Sequence, residues 1–353
     1  MHPEQPADAY TLLTTNPPEL SAAHAAELLR EHYGLEGILK LQYSERDQNF
    51  LVRAHSGAEH VLKIANSAEV AAITDFQIAA LLHLEKSHPA VPVPRVIRTL
   101  DGNTSIRIAA QDGRRHTLRV LSWLPGVLIP FENLGADAAE KMGAALASLG
   151  NALRGFEHAA SDYPLLWDIK QARKLLTLLD HVADTALRHV LRHHLEVFVT
   201  EIEPRLPDLR CQVIHNDLNP GNVLFNSTNT SEVAGIIDFG DMIRSPLVVD
   251  VAVASAYLCD SNDGPFANVF EFVRGYHKVT PLMADEFELL PYMIAIRSVA
   301  SLSISHWHAS MYPENRDYIG SSEDSSLQMI MTLGRHPPAN LSRALQDYCD
   351  NKK

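Results

Sequence analysis

Two stretches of the sequence place oxygen-bearing side chains between runs of apolar residues. The first, VIHNDLNPGNVLF at 213–225, carries His215, Asp217 and Asn222, and the second is the tripeptide DFG that begins at Asp238, sixteen residues after Asn222. Amide and carboxylate oxygens are ligands that Mg²⁺ prefers, and a further carboxylate can accept a proton. Metal ligands and a nearby base are what phosphoryl transfer requires, because in that reaction a protein mainly positions groups and neutralises charge.

The order and spacing of these residues are typical of a kinase catalytic loop followed by a metal-binding loop. We therefore predict that Asp217 accepts the proton of the attacking hydroxyl and that Asn222 and Asp238 hold Mg²⁺ beside ATP. His215 is predicted to brace the loop by hydrogen bonding. Each residue alone also fits an ordinary turn, since Asp and Asn next to a Pro-Gly pair are common turn formers.

The flanks of both stretches look like strands, and NSTNTSE between them is predicted to be a hairpin loop. Upstream, Ser21 is a candidate N-cap for a helix that stops at Gly34. Segments of alternating apolar character predict about five antiparallel strands before residue 122, and Ala68 to about Ser87 has the apolar periodicity of a long helix. The prolines and glycine of WLPGVLIP at 123–130 mark the best boundary.

Beyond that boundary the chain is predicted to be mainly helical, apart from a catalytic hairpin at 211–242. The fold class is therefore α+β, with an N-terminal nucleotide-binding lobe at 1–122 and a C-terminal lobe at 123–353 that carries the hairpin and the acceptor site. A length of 353 residues agrees with two lobes around separate cores.

Composition narrows the choice of partners. The formal net charge of −13 argues against nonspecific attraction to nucleic acid or to an anionic membrane, and it allows a cationic substrate. Cys211, Cys259 and Cys349 are far apart and lack the spacing of a zinc site or a disulfide framework. The first twenty residues have neither a basic leader nor an apolar core, so we expect a soluble, cytoplasmic protein.

IHNDLNPGNVLF and GIIDFGDMIRSPLVVDVAVA resemble the aminoglycoside phosphotransferase and choline kinase superfamily. YSERDQNFLV, HVLKIAN and IDFGDM look most like its branch that contains hydroxylysine kinase. The resemblance extends over about residues 20 to 320. It implies a protein-kinase-like two-lobe fold, with a small antiparallel-sheet N-lobe and a mainly helical C-lobe, that uses ATP and Mg²⁺.

The resemblance also implies roles in nucleotide binding. Lys63 stands where the family's lysine contacts the α- and β-phosphates. Its usual glutamate partner is replaced by Gln77, whose amide can still hydrogen-bond the lysine, so either Asp75 or Glu69 takes the place of the glutamate or the lysine is held more loosely. No glycine occurs in QYSERDQNF, where a glycine-rich loop is expected, and Ser44 with turn amides is predicted to bind phosphate instead.

The adenine site is expected at the crossing between the lobes, where backbone groups of Ser122, Trp123 and Leu124 would meet the base. Asp250 precedes an apolar helical run and is predicted either to cap that helix or to hold the catalytic loop. Asp241, three residues after Asp238, could attract a substrate ammonium group or orient the metal loop. Both alternatives stay open at this point.

Recognition of the acceptor is the least determined part. Arg297 could grip a substrate carboxylate if it faces the site, or it could be a solvated surface charge. Trp307 could cover an ammonium group, or it could belong to the core.

The acceptor is expected to be a hydroxylated amine, with hydroxylysine or a similar amino alcohol first. Homoserine or choline/ethanolamine kinase is the alternative, and aminoglycosides are less favoured. A rival of another class is a catalytically inactive nucleotide-binding regulatory protein, motivated by Gln77 and the missing glycines. A protein kinase is disfavoured because no Ala-Pro-Glu follows DFG at the required distance.

Overall fold

The computed structural model describes residues 10–109, 113–259, 264–312 and 323–351. The chain divides into two compact units, the first of Met1–Pro125 with His158–Pro164 and the second of Gly126–Glu157 with Leu165–Lys353. The division follows Pro125, close to the boundary predicted after residue 122. The sequence did not suggest that a short later segment would join the first unit.

The first unit contains an antiparallel sheet of six strands. These are β1 (Gly37–Gln42), β2 (Gln48–Ala54), β3 (Glu59–Ile64), β4 (Val96–Ile97), β5 (Ile106–Ala109) and β6 (Arg115–Ser122). The strand order is β1-β2-β3-β6-β4, and β5 also pairs with β6. The two-residue β4 is an addition to the predicted strands, because the prolines beside it mask its pattern.

Three helices accompany this sheet, namely α1 (Thr11–Thr14), α2 (Ala22–Tyr33) and α3 (Ala71–Ser87). Helix α2 begins and ends as its sequence predicts. The Ser21 side chain accepts a hydrogen bond from the His24 amide, and Gly34 ends the helix in the left-handed region at φ 64°. Apolar residues of α2 pack with those of β2, β3 and β6 to form the core of this unit.

Five short strands lie in the second unit. They are β7 (Val127–Leu128), β8 (Cys211–Ile214), β9 (Val223–Phe225), β10 (Val233–Ile236) and β11 (Ile243–Pro246). Strand β9 pairs with β7 and β10, while β8 pairs with β11, all antiparallel. We predicted no strand at β7 or β11, because neither segment has enough alternating residues to be distinguished from a turn.

The described residues of the second unit are otherwise mainly helical. The α-helices are α4 (Ala136–Ala152), α5 (Thr185–Val197), α6 (Leu247–Ser255), α7 (Ala267–Val279), α8 (Ala284–Met311), α9 (Glu323–Leu333) and α10 (Pro338–Asn351). The middle of the predicted helical region contains 3₁₀ turns instead, at Ile169–Thr177, Leu179–His181 and Glu203–Asp208. Prolines in the last of these lack the N–H that an α-helix needs. The α+β prediction is confirmed.

Helix α8 is long and apolar enough to meet the criteria for a membrane-spanning helix. However, 89% of its most apolar window is buried inside the protein, as in the core helix of a soluble domain. Several of its polar residues are buried too, including Arg297 at 2% exposure. A buried arginine on a core helix requires a specific partner, and that partner belongs to the site described next.

Candidate active site

Strand pairing brings the two polar stretches together. Strand β8 ends at Ile214 directly opposite Ile243, where β11 begins, so the loop after β8 lies beside the loop before β11. Strands β9 and β10 form a hairpin between these two loops. The Ile237 amide donates a hydrogen bond to the Asn222 carbonyl at 2.9 Å, which joins the end of one loop to the start of the other.

Both loops contain a residue in the left-handed backbone region. Asn216 has φ 64° and Asp238 has φ 58°, a conformation that Asn and Asp tolerate better than most residues. Asp250, on α6, accepts hydrogen bonds from the amides of His215 at 3.2 Å and Asn216 at 2.7 Å. It makes no side-chain cap to α6, so of the two predicted alternatives, the structure shows the contact with the loop.

His215 connects the same two loops through its ring. Its Nε2 lies 3.0 Å from the Ile237 carbonyl, and its Nδ1 accepts the Asp217 amide at 3.3 Å. This pattern assigns the neutral tautomer with the proton on Nε2. Complete burial lowers the pKa of His215, which also favours the neutral ring. The ring contacts Phe239 edge-on at 5.0 Å between centroids. The histidine therefore holds the loops in register.

The Asp217 carboxylate is surrounded by donors. Asn222 Nδ2 donates to its Oδ2 at 2.7 Å, while Asn219 Nδ2 and Arg297 Nη2 donate to Oδ1 at 3.0 and 3.2 Å. Burial and the nearby Asp241 carboxylate nevertheless raise the pKa of Asp217 to about 7, against the opposing charge of Arg297. A carboxylate with a pKa near neutral is well suited to take a proton and to release it afterwards.

The candidate metal ligands are Asn222 and Asp238. The Asn222 amide nitrogen also donates to the Asp217 carbonyl at 2.8 Å, so its Oδ1 is the atom left for a cation. Asp238 is exposed, and its Oδ1 accepts the Gly240 amide at 3.1 Å. No group of three or more His, Cys, Asp or Glu ligands occurs among the described residues. Two hard oxygen donors fit Mg²⁺, which usually takes its other ligands from water and phosphate.

Asp241 and Arg297 complete the charged part of this site. Asp241 is 9% exposed, and its backbone carbonyl accepts Asn216 Nδ2 at 3.2 Å. Arg297 also donates to the Tyr257 hydroxyl at 3.1 Å, and its guanidinium carbon lies 4.6 Å from the centre of the Trp167 ring. Arg297 is thus not a solvated surface charge.

Trp307, the predicted aromatic candidate, is buried at 7% exposure and stacks near His308 at 6.3 Å. The aromatic rings that contact Arg297 are instead Trp167 and Tyr257.

On the first unit, Lys63 lies on β3 opposite Arg119 on β6 and is 8% exposed. Gln77, on α3, accepts a hydrogen bond from Arg119 Nη2. Glu69 accepts one from the Thr74 hydroxyl, and burial raises its pKa while the Arg119 charge opposes that rise. Asp75, the other acid considered, is exposed. Gln77 is therefore hydrogen-bonded to Arg119, a second buried cation opposite Lys63. The sequence did not predict this partner.

Ser44 lies in the loop between β1 and β2, where its hydroxyl accepts the Asp47 amide at 3.3 Å. The buried Asn66 holds this loop in place with two hydrogen bonds. Its side-chain Nδ2 donates to the Arg46 carbonyl at 3.0 Å, and its backbone amide donates to Asp47 Oδ1 at 3.1 Å. These side-chain contacts give order to a turn without glycine.

Two backbone amides at the end of β6 and directly after it have carbonyl acceptors. The Ser122 amide donates to the Arg95 carbonyl at 2.8 Å, and the Trp123 amide donates to the Glu59 carbonyl at 3.1 Å. The sequence predicted that backbone groups of Ser122, Trp123 and Leu124 meet the base. Of their three amides, that of Leu124 donates to no backbone carbonyl in the loops and turns that the structure describes.

Residues 42–285 match the model of the APH phosphotransferase enzyme family. The chain belongs to this family. The predicted superfamily and the prediction of a small-molecule phosphotransferase enzyme are thereby confirmed.

Individual proteins are also similar to this chain over most of their length. Hydroxylysine kinase from Mus musculus is 26% identical over 345 residues, covering 90% of this chain and 91% of that protein. Homoserine kinase from Pseudomonas aeruginosa (strain LESB58) is 26% identical over 263 residues, covering 72% and 75%. The predicted likeness to the hydroxylysine kinase branch is confirmed.

A solved structure of amicoumacin kinase, in complex with AMP-PNP, Ca²⁺ and Ami, superimposes with a TM-score of 0.68 at 13% identity. The match covers 92% of this chain and 97% of that one. At this identity the likeness concerns the fold, which is therefore protein-kinase-like, as predicted.

Four residues of these sites were missed by sequence reasoning. They are Asn219, Trp167, Tyr257 and Arg119. Asn219 carried a signal, because it is a third amide in the same polar loop. The other three are distant in the sequence from their partners, and no local pattern points to them.

Proposed function

We propose that this protein transfers the γ-phosphoryl group of ATP, with Mg²⁺, to a hydroxyl group of a small amine-bearing metabolite. The observation that carries the proposal is the buried Asp217 carboxylate, held by Asn219, Asn222 and Arg297. Such a network orients a base without supplying an alternative nucleophile. Location in the cytoplasm is part of the proposal.

In the proposed reaction the acceptor oxygen attacks the γ-phosphorus, its proton passes to an Asp217 oxygen, and the bond to the β,γ-bridging oxygen breaks to release ADP. Asn222 Oδ1 and Asp238 would hold Mg²⁺, which neutralises phosphate charge when bound. Asp241 would attract the ammonium group of the acceptor. On the first unit, Lys63 and the Ser44 loop would bind phosphate, and the Leu124 amide would meet the base.

Hydroxylysine is the first candidate acceptor, because hydroxylysine kinases match over about nine-tenths of the chain. Homoserine is the second, supported by the similarity to homoserine kinase. A screen of coupled ADP release should compare hydroxylysine, homoserine, ethanolamine, choline and an aminoglycoside. We expect ADP release that depends on one of the amino-acid acceptors and on added Mg²⁺.

The same assay tests the base. Asp217→Asn should lower kcat by about 10²–10⁴-fold, because a positioned acid or base contributes that much. Asp208→Asn, which changes an exposed aspartate of the second unit, is the matched control and should be fully active. Undiminished ADP release by Asp217→Asn would defeat the assignment. Stabilisation by ATP with Mg²⁺ but no ADP release with any acceptor would favour an inactive nucleotide-binding protein.

A further inference from the structure

The guanidinium group of Arg297 is buried but only partly bonded. Its Nη2 donates to both Asp217 and Tyr257, whereas Nε and Nη1 have no hydrogen-bond partner in the part of the chain that the structure describes. Buried donors of a charged side chain are almost always satisfied in folded proteins. The two open nitrogens therefore indicate that a ligand completes the set of acceptors around this arginine.

The surroundings of Arg297 fix its orientation. Trp167 stacks on the guanidinium group at 4.6 Å and Tyr257 lies at 5.8 Å, so the planar group has little freedom to turn. An arginine held in this way presents its N–H groups in fixed directions, which suits a planar carboxylate better than it suits a hydroxyl or an amine.

The charges nearby complement an amino acid. Asp241 is 9% exposed and contacts the Asp217 loop, where its backbone carbonyl accepts Asn216 Nδ2 at 3.2 Å, so a negative residue and the positive Arg297 both lie at the loop that carries the base. A zwitterion could place its carboxylate at Arg297 and its ammonium group toward Asp241 without adding net charge to a buried site. A simple amine would leave the arginine unsatisfied.

We propose that Arg297 binds the carboxylate of the acceptor, which makes the acceptor a hydroxylated amino acid rather than an amino alcohol. This inference rests on the proposed function, because it assigns the acceptor of the same site. The competing explanation is that Arg297 only positions Asp217. The two explanations differ in a measurable way, since a positioning role would affect every acceptor equally.

The test compares each acceptor with its decarboxylated counterpart. Homoserine is paired with 3-amino-1-propanol and hydroxylysine with 1,5-diamino-2-pentanol. For the preferred pair, the ratio of kcat/KM between the two members should be about 100 or more in the natural protein, as expected for a buried charge pair. In Arg297→Met it should fall to about 1. Arg205→Met, which removes an arginine in an exposed ion pair, should leave the ratio unchanged.

The ratio cancels any loss of activity that both acceptors share, so damage to Asp217 positioning cannot imitate the expected result. An equal loss on both acceptors in Arg297→Met, with the ratio preserved, would overturn the inference. So would a natural protein that does not distinguish the two members of either pair.

Calorimetric titration of the same ligands with ADP and Mg²⁺ present keeps the inference testable without turnover. Binding of homoserine or hydroxylysine that is lost in Arg297→Met supports it, even if no acceptor is phosphorylated and the proposed function fails. Absence of binding by both amino acids to the natural protein, or equal binding to the variant, contradicts it.

Discussion

At the scale of single residues, Asp217 lies at the centre of opposing effects. Burial and the Asp241 carboxylate favour its protonated form, while Arg297 and the Asn219 amide favour its charged form. The balance leaves its pKa at about 7, far above the usual value of 3.8. A carboxyl group with a raised pKa in the folded protein costs stability once it ionises, because the unfolded chain ionises it at lower pH.

The stability of the Asp217→Asn variant relative to the wild type should therefore increase as pH rises. Between pH 3.8 and about 7 the folded wild type holds a proton that the unfolded chain has released, so its stability falls with rising pH. The variant lacks this dependence. The unfolding free energy of the variant minus that of the wild type should therefore increase by about 2–3 kcal/mol between pH 5 and 8.

Urea unfolding of both proteins in EDTA checks this expectation. Lowered histidine pKa values, as at His60 and His194, act equally in both proteins and cancel in the comparison. Asp208→Asn should show no such trend. A difference that stays constant from pH 5 to 8 would mean that Asp217 titrates normally.

At the scale of elements, the second unit depends on the close approach of two helices. A Cβ atom on Gly143 of α4 would overlap the backbone carbonyl of Phe272 on α7, and one on Gly275 of α7 would overlap that of Glu140 on α4. At each glycine, the space that a side chain would fill is therefore occupied by the backbone of the other helix. Neither glycine has a positive φ, so backbone conformation does not account for a glycine at these positions, whereas the close approach of the two helices does.

Gly143→Ala should destabilise the protein by about 2–3 kcal/mol or more, since backbone cannot move aside as the end of a flexible side chain can. Gly334→Ala is the matched control, because its nearest neighbour to the new Cβ would be 3.5 Å away, an ordinary contact. Thermal unfolding of the two variants should separate them clearly. Equal melting temperatures would show that α4 and α7 can separate without cost.

At the scale of the whole molecule, the accessibility of the three cysteines reports how tightly the chain is packed around them. Cys211 is partly exposed, whereas Cys259 and Cys349 are buried, and none forms a disulfide. Burial raises the pKa of Cys349 to about 12, which keeps it in the unreactive thiol form at neutral pH.

A thiol reagent at pH 8 should label one cysteine in the native protein and three after denaturation. Cys211→Ser should abolish the native label, and reducing agent should leave the melting temperature unchanged. Rapid labelling of all three thiols under native conditions would mean that the buried regions open far more readily than their packing indicates.

The sequence alone predicted the chemistry that we propose for the catalytic hairpin, because His215, Asp217, Asn222 and Asp238 lie at short spacings that loops preserve. It also predicted the sheet of the first unit, whose strands repeat a pattern of period two. Short strands such as β11 were missed because four residues carry no reliable period.

The tertiary structure alone decided which distant residues meet. Asp250 could have capped its helix or held the loop, and only the packing of α6 beside β8 selects the loop. Arg297 could have faced solvent, and only the burial of α8 brings it to Asp217, Tyr257 and Trp167. Such contacts depend on how helices and loops pack over long sequence separations, and no local pattern of residues encodes them.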